Sequence, residues 1–317
     1  MAYSLPKDAV WLITGCSSGI GAALATRLAT TTSSRVVATA RNVSALAYLK
    51  DDNNVLKVAL NVTSPESIDE AFRQAVEKFG RVDVVVNNAG YTIFGDEEAM
   101  TLEEGKALFE TNFWGTVNVT NHALPVLRDQ NPKTGQKGGL ILYVSSVGGF
   151  VTSPGNAFYH ASKHAMEGFA DALQKELDPN WGIRSVIFQP GGTATEYAGT
   201  SMKVPAMGRH PAYDRPELPT STMMAMFGNA KAMAAGFSTA DDIAKGICET
   251  VGAPVEGVRA EKEMELPLRV PLGVWAWGAV AATMEARRDE LLGLEKFSTR
   301  FGGDLGAVAE GMLKEVM

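Results

Sequence analysis

The segment Val10-Trp11-Leu12-Ile13-Thr14-Gly15-Cys16-Ser17-Ser18-Gly19-Ile20-Gly21 decides the fold. A short apolar run ends in a turn with three glycines, and a helical pattern follows from Ala22 to Leu28. Strand, glycine-rich turn and helix come in that order. With no side chain at Gly15, Gly19 and Gly21, backbone can approach a pyrophosphate, and the helix N-terminus faces it. The spacing is G-x-x-x-G-x-G rather than the commoner G-x-G-x-x-G.

Further strands are expected at Arg35–Ala40, Val55–Leu60, Val82–Val86, Leu140–Val144 and Ile183–Phe188. Between them lie helical patterns. Ser64-Pro65-Glu66 opens one with an N-cap, an early proline and an early acid, and Gly80 closes it. A long helical region covers Leu102 to Leu127. Asn112 and Gly115 in its middle are locally unfavourable, so Asn112 is expected to kink the helix for a purpose. Alternating strands and helices with right-handed crossovers predict an α/β fold with a doubly wound parallel sheet and helices on both faces.

The apolar run Leu140-Ile141-Leu142-Tyr143-Val144 leads into Ser145-Ser146-Val147-Gly148-Gly149. A helix is expected from Ala157 to Leu177, so Tyr159 and Lys163 project from one face, four residues apart. Ser146 lies at the carboxyl end of the strand, where open α/β sheets place reacting groups. A phenol is a poor proton carrier at neutral pH, and a neighbouring ammonium lowers its pKa. A serine hydroxyl beside it can orient a carbonyl oxygen. The set suits proton exchange with a substrate oxygen while another group moves a hydride.

The second strand ends at Arg41, with no acid before Asp51. A basic residue there suits the 2′-phosphate of NADP, whereas an acid suits the 2′-hydroxyl of NAD. Ser17 can add a hydroxyl donor.

The 317 residues carry 29 basic and 36 acidic side chains, a net charge of −7. With no Lys/Arg cluster, this argues against a nucleic-acid partner. Cys16 and Cys248 give no disulfide framework, and four scattered histidines give no metal spacing. A reducing, cytoplasmic setting is expected, and Met1 to Asp8 has no signal-like apolar core.

Five motifs fall in one order: Thr14 to Gly21; Asn87-Asn88-Ala89-Gly90; Asn112; Ser146 with Tyr159 and Lys163; and Pro190-Gly191 followed by Thr195. In these the chain resembles the short-chain dehydrogenase/reductase family, in its single-domain NAD(P)-dependent branch with a Rossmann fold. The resemblance covers about residues 8 to 195. It implies that Tyr159 is the general acid/base, that Ser146 rather than Ser145 holds the reacting oxygen, and that Lys163 binds the nicotinamide ribose and lowers the tyrosine pKa. It implies that Asn112 holds a helix kink and a proton-relay water. For cofactor binding it points to Gly15, Ser17, Ser18, Gly19, Ile20 and Gly21 in the turn, Arg41, Asn61 and Val62. It adds Asn88, Ala89 and Gly90, then Pro190, Gly191, Thr193 and Thr195, with Tyr159 and Lys163 shared. Asn61 stands where aspartate commonly accepts from the adenine amino group; its amide carbonyl can still accept. A homodimer or homotetramer is expected.

A single domain spanning residues 1–317 is expected, with a catalytic core to residue 195 and a substrate-lid extension over 196–317. The tail from Leu266 to Phe301 resembles those of fungal members of the family, which fits a role in secondary metabolism. Met202 to Phe237, rich in proline and methionine, reads as a lid. Val270 to Met284 is uncharged, with Trp275 and Trp277, and is too short to span a membrane. It reads as a core or subunit-interface element, with pocket lining and membrane-surface contact as the alternatives. The expected activity is a NADP(H)-dependent ketoreductase acting on a bulky hydrophobic ketone or secondary alcohol, such as a polyketide, terpenoid or steroid-like compound. The alternatives are an epimerase or dehydratase of the same fold, and a catalytically silent, NADP-sensing interaction protein.

Overall fold

The computed structural model describes residues 5–194, 202–229, 237–252 and 266–300. Seven parallel strands form the central sheet: β1 (Val10–Ile13), β2 (Arg35–Ala40), β3 (Val55–Ala59), β4 (Val84–Asn87), β6 (Gly139–Val144), β7 (Ile183–Pro190) and β11 (Arg269–Leu272). Their order is β11-β7-β6-β4-β1-β2-β3. The order reverses beside β1, so the ends of β1 and β4 diverge and open a crevice above the sheet.

Period-two alternation sends successive side chains to opposite faces. Trp11 and Ile13 of β1 pack on one face with helices α1 (Gly19–Thr31) and α7 (Ala240–Thr250). Val10 and Leu12 pack on the other with α2 (Pro65–Phe79), α4 (Gly115–Pro125) and α5 (Ala157–Glu176). Burial on both faces explains why these strands read as unbroken apolar runs. The expected cap of α2 is present: the Ser64 side chain accepts from the Ser67 N–H, Pro65 begins the helix, and Gly80 ends it at φ 80°.

The long helix predicted over Leu102–Leu127 is interrupted. A π-helical turn, Glu110–Trp114, separates α3 (Leu102–Phe109) from α4 and carries Asn112. Such turns shift the helix register by one residue and commonly mark functional positions.

The C-terminal third departs from expectation. Val270–Met284 is not one buried unit. Arg269–Leu272 is the seventh strand, paired in register with Ile187–Pro190 of β7. Pro271 is tolerated there because the strand is an edge. From Val274 the chain becomes a helix, α8 (Val274–Ser298), on which only Ala276 is buried. A four-residue edge strand with no alternation is a weak signal in sequence. Among the described residues no helix is long and apolar enough to cross a membrane.

The described part of the expected lid, residues 202–229, is tied down. Strand β9 (Met202–Lys203) pairs with β5 (Thr92–Ile93). Asp96 is fully buried and accepts from Arg209 Nε at 2.6 Å and from the His210 N–H at 3.2 Å. Glu104 accepts from the Ala206 N–H at 2.8 Å. Helix α6 (Pro219–Gly228) follows.

Candidate active site

A cleft of about 1070 Å³ runs along the carboxyl ends of the strands. Its wall includes Gly15, Ser17, Ser18, Gly19, Ile20, Arg41, Asn61, Val62, Asn88, Ala89, Gly90, Ser146, Tyr159, Lys163, Pro190, Gly191 and Thr193. These positions are scattered along the sequence, and the fold brings them to one surface. Gly21 is buried just behind the turn, where a Cβ would collide with Asn88. Asn112 sits behind the wall, fully buried. Thr195, like Glu196–Ser201, lies outside the described residues.

The turn after β1 is built by backbone approach. Gly15 takes φ +71°, and a Cβ there would stand 2.9 Å from Ala89 Cα. Asn88 Nδ2 donates to the carbonyls of Thr14 at 2.8 Å and Gly15 at 3.2 Å. Its side chain therefore braces the turn from β4. At the N-cap of α1, Ser18 makes no side-chain capping bond, and the first turn holds no acidic residue. The first N–H groups of a helix have no intrahelical acceptor. Here they meet the cleft beside Ser17 and Ser18, a setting that fits an anionic diphosphate.

Arg41 is exposed just beyond β2 and makes no ion pair with a described residue. Asn61 lines the cleft, where its side chain forms a local turn. Its Oδ1 accepts from the Thr63 N–H at 3.2 Å and from the Thr63 hydroxyl at 3.0 Å.

The α5 face carries Tyr159 and Lys163 as expected. Lys163 is buried, and its Nζ donates to the Val144 carbonyl at 2.9 Å. Burial lowers its pKa to about 8, against the pull of the Glu167 carboxylate, which raises it. Tyr159 does not show the expected lowering. Burial of the phenol raises its pKa, and a hydrogen bond with the Ser146 side chain works against that rise. Lys163 Nζ stands 5.9 Å from the Tyr159 ring centroid and is turned to a backbone carbonyl, so desolvation dominates.

The two serines separate clearly. Ser146 accepts from the Gly148 N–H at 3.0 Å and faces Tyr159. The Ser145 hydroxyl instead donates to Glu167 Oε1 at 2.8 Å. Asn112 is hooked to the chain after Gly90: Nδ2 donates to the Tyr91 carbonyl at 2.9 Å, and Oδ1 accepts from the Tyr91 N–H at 3.0 Å. A further bond runs from Nδ2 to Ser162 Oγ at 3.2 Å. The asparagine thus couples the π-helical turn to α5 and to the end of β4.

Several residues at the site escaped the sequence reading. Glu167 stands one helical turn beyond Lys163, is buried, and gathers donors from Ser145, from Gln189 and from Arg269 Nε at 3.2 Å. The i, i+4 spacing from Lys163 could have flagged it. His160 binds the loop over the cleft: the Ser153 N–H donates to its Nε2 at 3.0 Å, so Nδ1 carries the proton toward the Gly148 carbonyl at 2.9 Å. Burial lowers its pKa. The wall also has an apolar part, Val147, Val151, Met223, Met226, Phe227, Phe237 and Trp275, alongside polar side chains such as Thr111, Thr152, Ser153, Asn156 and Lys203. Trp275 packs beside Gly191, so part of the Val270–Met284 segment lines the pocket.

The model of the short chain dehydrogenase family matches residues 9–204. The chain is 38% identical to oxidoreductase calM of Penicillium decumbens over 293 residues, 91% of each chain. A short-chain dehydrogenase from Streptomyces avermitilis superposes with a TM-score of 0.74 at 30% identity, covering 93% of this chain and 100% of that one. An alcohol dehydrogenase from the archaeon Thermococcus sibiricus, complexed with 5-hydroxy-NADP, gives a TM-score of 0.60 at 25% identity, covering 84% of this chain and 96% of that one. With the family model matching well over half of the chain and a relative 38% identical over 91% of it, the chain belongs to the short-chain dehydrogenase family of oxidoreductases.

Proposed function

We propose that this protein is a NADP(H)-dependent oxidoreductase that interconverts a ketone and a secondary alcohol on a bulky, mainly apolar molecule. The observation that carries the reading is the convergence of Ser146, Tyr159 and Lys163, backed by Asn112, on a cleft whose other end is an uncapped helix N-terminus flanked by Arg41.

The α1 turn, with Ser17, Ser18, Gly19 and Ile20, would hold the diphosphate. Arg41 would take the 2′-phosphate and Lys163 the nicotinamide ribose, with Pro190, Gly191 and Thr193 closing the nicotinamide end. The dinucleotide, when bound, supplies or accepts the hydride. Ser146 positions the substrate oxygen through its hydroxyl. Tyr159 gives that oxygen a proton during reduction and removes it during oxidation. Burial alone makes the phenol a weaker donor; the positive charge of Lys163 would stabilise the phenolate, which favours giving the proton up during reduction and having the base ready during oxidation. Asn112 fixes the register in which Tyr91 and α5 meet around that tyrosine.

The substrate assignment rests on the wall. Val147, Val151, Met223, Met226, Phe227, Phe237 and Trp275 offer apolar contact with few polar anchors, the usual form of a small-molecule site. A polyketide, terpenoid or steroid-like ketone fits that chemistry. The relative from Penicillium decumbens bears only the name of an oxidoreductase, which agrees with the reaction class. We place the enzyme in the cytoplasm as a homo-oligomer.

The test is NADPH consumption on a panel of ketones, from small acids and sugar phosphates to polycyclic apolar compounds. Turnover that rises with apolar bulk supports the reading. No turnover on any carbonyl, or a sugar phosphate as the best substrate, overturns it.

A further inference from the structure

The cleft wall contains no carboxylate among the described residues, in a chain of net charge −7. Its lysine and arginine side chains are Arg41, Lys163 and Lys203. Arg41 and Lys163 have places in cofactor binding and proton exchange. Lys203 has none.

Lys203 is exposed, but its backbone is held in place. Its strand pairs with β5, residue against residue with Ile93, and its carbonyl accepts from the Phe94 N–H at 2.9 Å. Its Nζ lies 4.3 Å from the centroid of the Tyr91 ring, a cation–π contact that sets the ammonium against the cleft wall. The Tyr91 backbone in turn is fixed by both ends of the Asn112 side-chain amide, and its ring packs in the same small cluster as Tyr159. The Tyr91 hydroxyl and the Lys203 ammonium have no hydrogen-bond acceptor among the described residues. Glu104 is close enough to feel the lysine charge, but its oxygens are held by Thr101 and the Ala206 N–H, and it forms no ion pair with Lys203. The result is an ammonium over the Tyr91 ring, in the cluster that also holds the reacting tyrosine, in a wall that has apolar and neutral polar side chains and no carboxylate.

We propose that Lys203, with the Tyr91 hydroxyl, binds a single carboxylate carried by the otherwise apolar ketone substrate. This deepens the reading given above and rests on it. The chemistry an ammonium recognises is anionic oxygen, which the diphosphate of the dinucleotide also offers. The carboxylate is favoured because the diphosphate already has the uncapped N-terminus of α1 and Arg41 lies exposed for the 2′-phosphate.

The test uses two ketones with one apolar skeleton, one ending in a carboxylate and the other in its methyl ester. Turnover with NADPH and binding to the NADP⁺-loaded enzyme by calorimetry are measured separately. Wild type is expected to prefer the acid by about tenfold, the lower end for a charge-assisted hydrogen bond. The preference lies in KM and shrinks as salt is raised. Lys203→Met brings the acid-to-ester ratio near one, and Lys203→Arg restores it. The affinity for NADPH alone, read by tryptophan fluorescence, moves less than about threefold in Lys203→Met, under one RT-scale contact. A wild type blind to the carboxylate overturns the proposal. So does a Lys203→Met enzyme that keeps the preference while losing NADPH affinity, which assigns the lysine to the cofactor. If neither ketone is turned over yet calorimetry shows the acid preference and its loss in Lys203→Met, the carboxylate site stands and the proposed reaction fails.

Discussion

Lys163 donates a hydrogen bond from Nζ to the carbonyl of Val144, 2.9 Å away, and so joins the catalytic helix to the strand end that precedes Ser146. The lysine is buried, and that burial brings its pKa down to about 8, with Glu167 pulling the other way. Reduction needs the charged form. As pH rises through about 8 the charge is lost, so kcat/KM for reduction should fall on the alkaline side of that value. In Glu167→Gln the carboxylate that favours the ammonium is gone, and the alkaline limb should move to lower pH. A pH–rate profile that is unchanged in Glu167→Gln removes Glu167 from the charge balance.

Tyr159→Phe keeps the ring and removes the hydroxyl. Loss of general acid catalysis should lower kcat by roughly 10²- to 10⁴-fold, with NADPH affinity retained. Ser146→Ala removes the hydrogen bond that opposes the raised phenol pKa, so the tyrosine should titrate higher still. Steady-state kinetics with fluorescence titration of NADPH separate the two effects. Near-full turnover in Tyr159→Phe would end the mechanism.

Arg41 is exposed beside the cleft with no ion pair of its own among the described residues. A charge-assisted contact to a phosphate contributes about 1.5–3 kcal/mol. Wild type should prefer NADPH to NADH by roughly tenfold or more, and Arg41→Asp should weaken or reverse the order. Equal affinities of the wild type for the two cofactors count against the assignment.

Asp96 is buried under Arg209, and one of its oxygens, Oδ1, has no partner. Arg209→Ala leaves the carboxylate unpaired. Breaking a buried pair costs roughly 3 kcal/mol or more, and less where one partner reaches water as Arg209 does. A fall of roughly 5 °C in Tm is expected. Hydrogen exchange should quicken in residues 202–213, and substrate KM should rise more than NADPH Kd. If exchange there is unchanged, the ion pair does not hold this segment.

Protonation of His160 removes the acceptor at Nε2 that holds the Ser153 N–H. Its pKa is lowered by burial, so the unfolded chain binds the proton more readily. Stability from this group is present above the ordinary histidine pKa of about 6.5 and is lost as pH falls below it toward the folded value. Thermal melts from pH 7 to pH 5 should show that loss in wild type and a smaller loss in His160→Phe.

What the sequence determined by itself is what short-range physics encodes. The glycine turn after β1, the α2 cap at Ser64, and the shared helix face of Tyr159 and Lys163 depend on neighbours within a turn or two. The interruption at Asn112 also showed, because a poor helix former in mid-helix is a local anomaly. The tertiary structure decided the rest. The spacing to Tyr159 already favoured Ser146 over Ser145, but only the tertiary structure shows what Ser145 does instead: it turns inward to Glu167 and leaves Ser146 facing Tyr159. That Asn61 folds into a local turn with Thr63 at the cleft wall is likewise visible only in the structure. The phenol pKa follows desolvation rather than the neighbouring ammonium. Arg269 reaches Glu167 across 102 residues, and Arg209 reaches Asp96 across 113. No periodicity or cap records such pairs, because they form only once the β11 edge strand and the β5–β9 pairing have brought remote segments together. Lys203 is the same case: in the chain it is one lysine among many, and the fold sets it over Tyr91 in a wall without carboxylates.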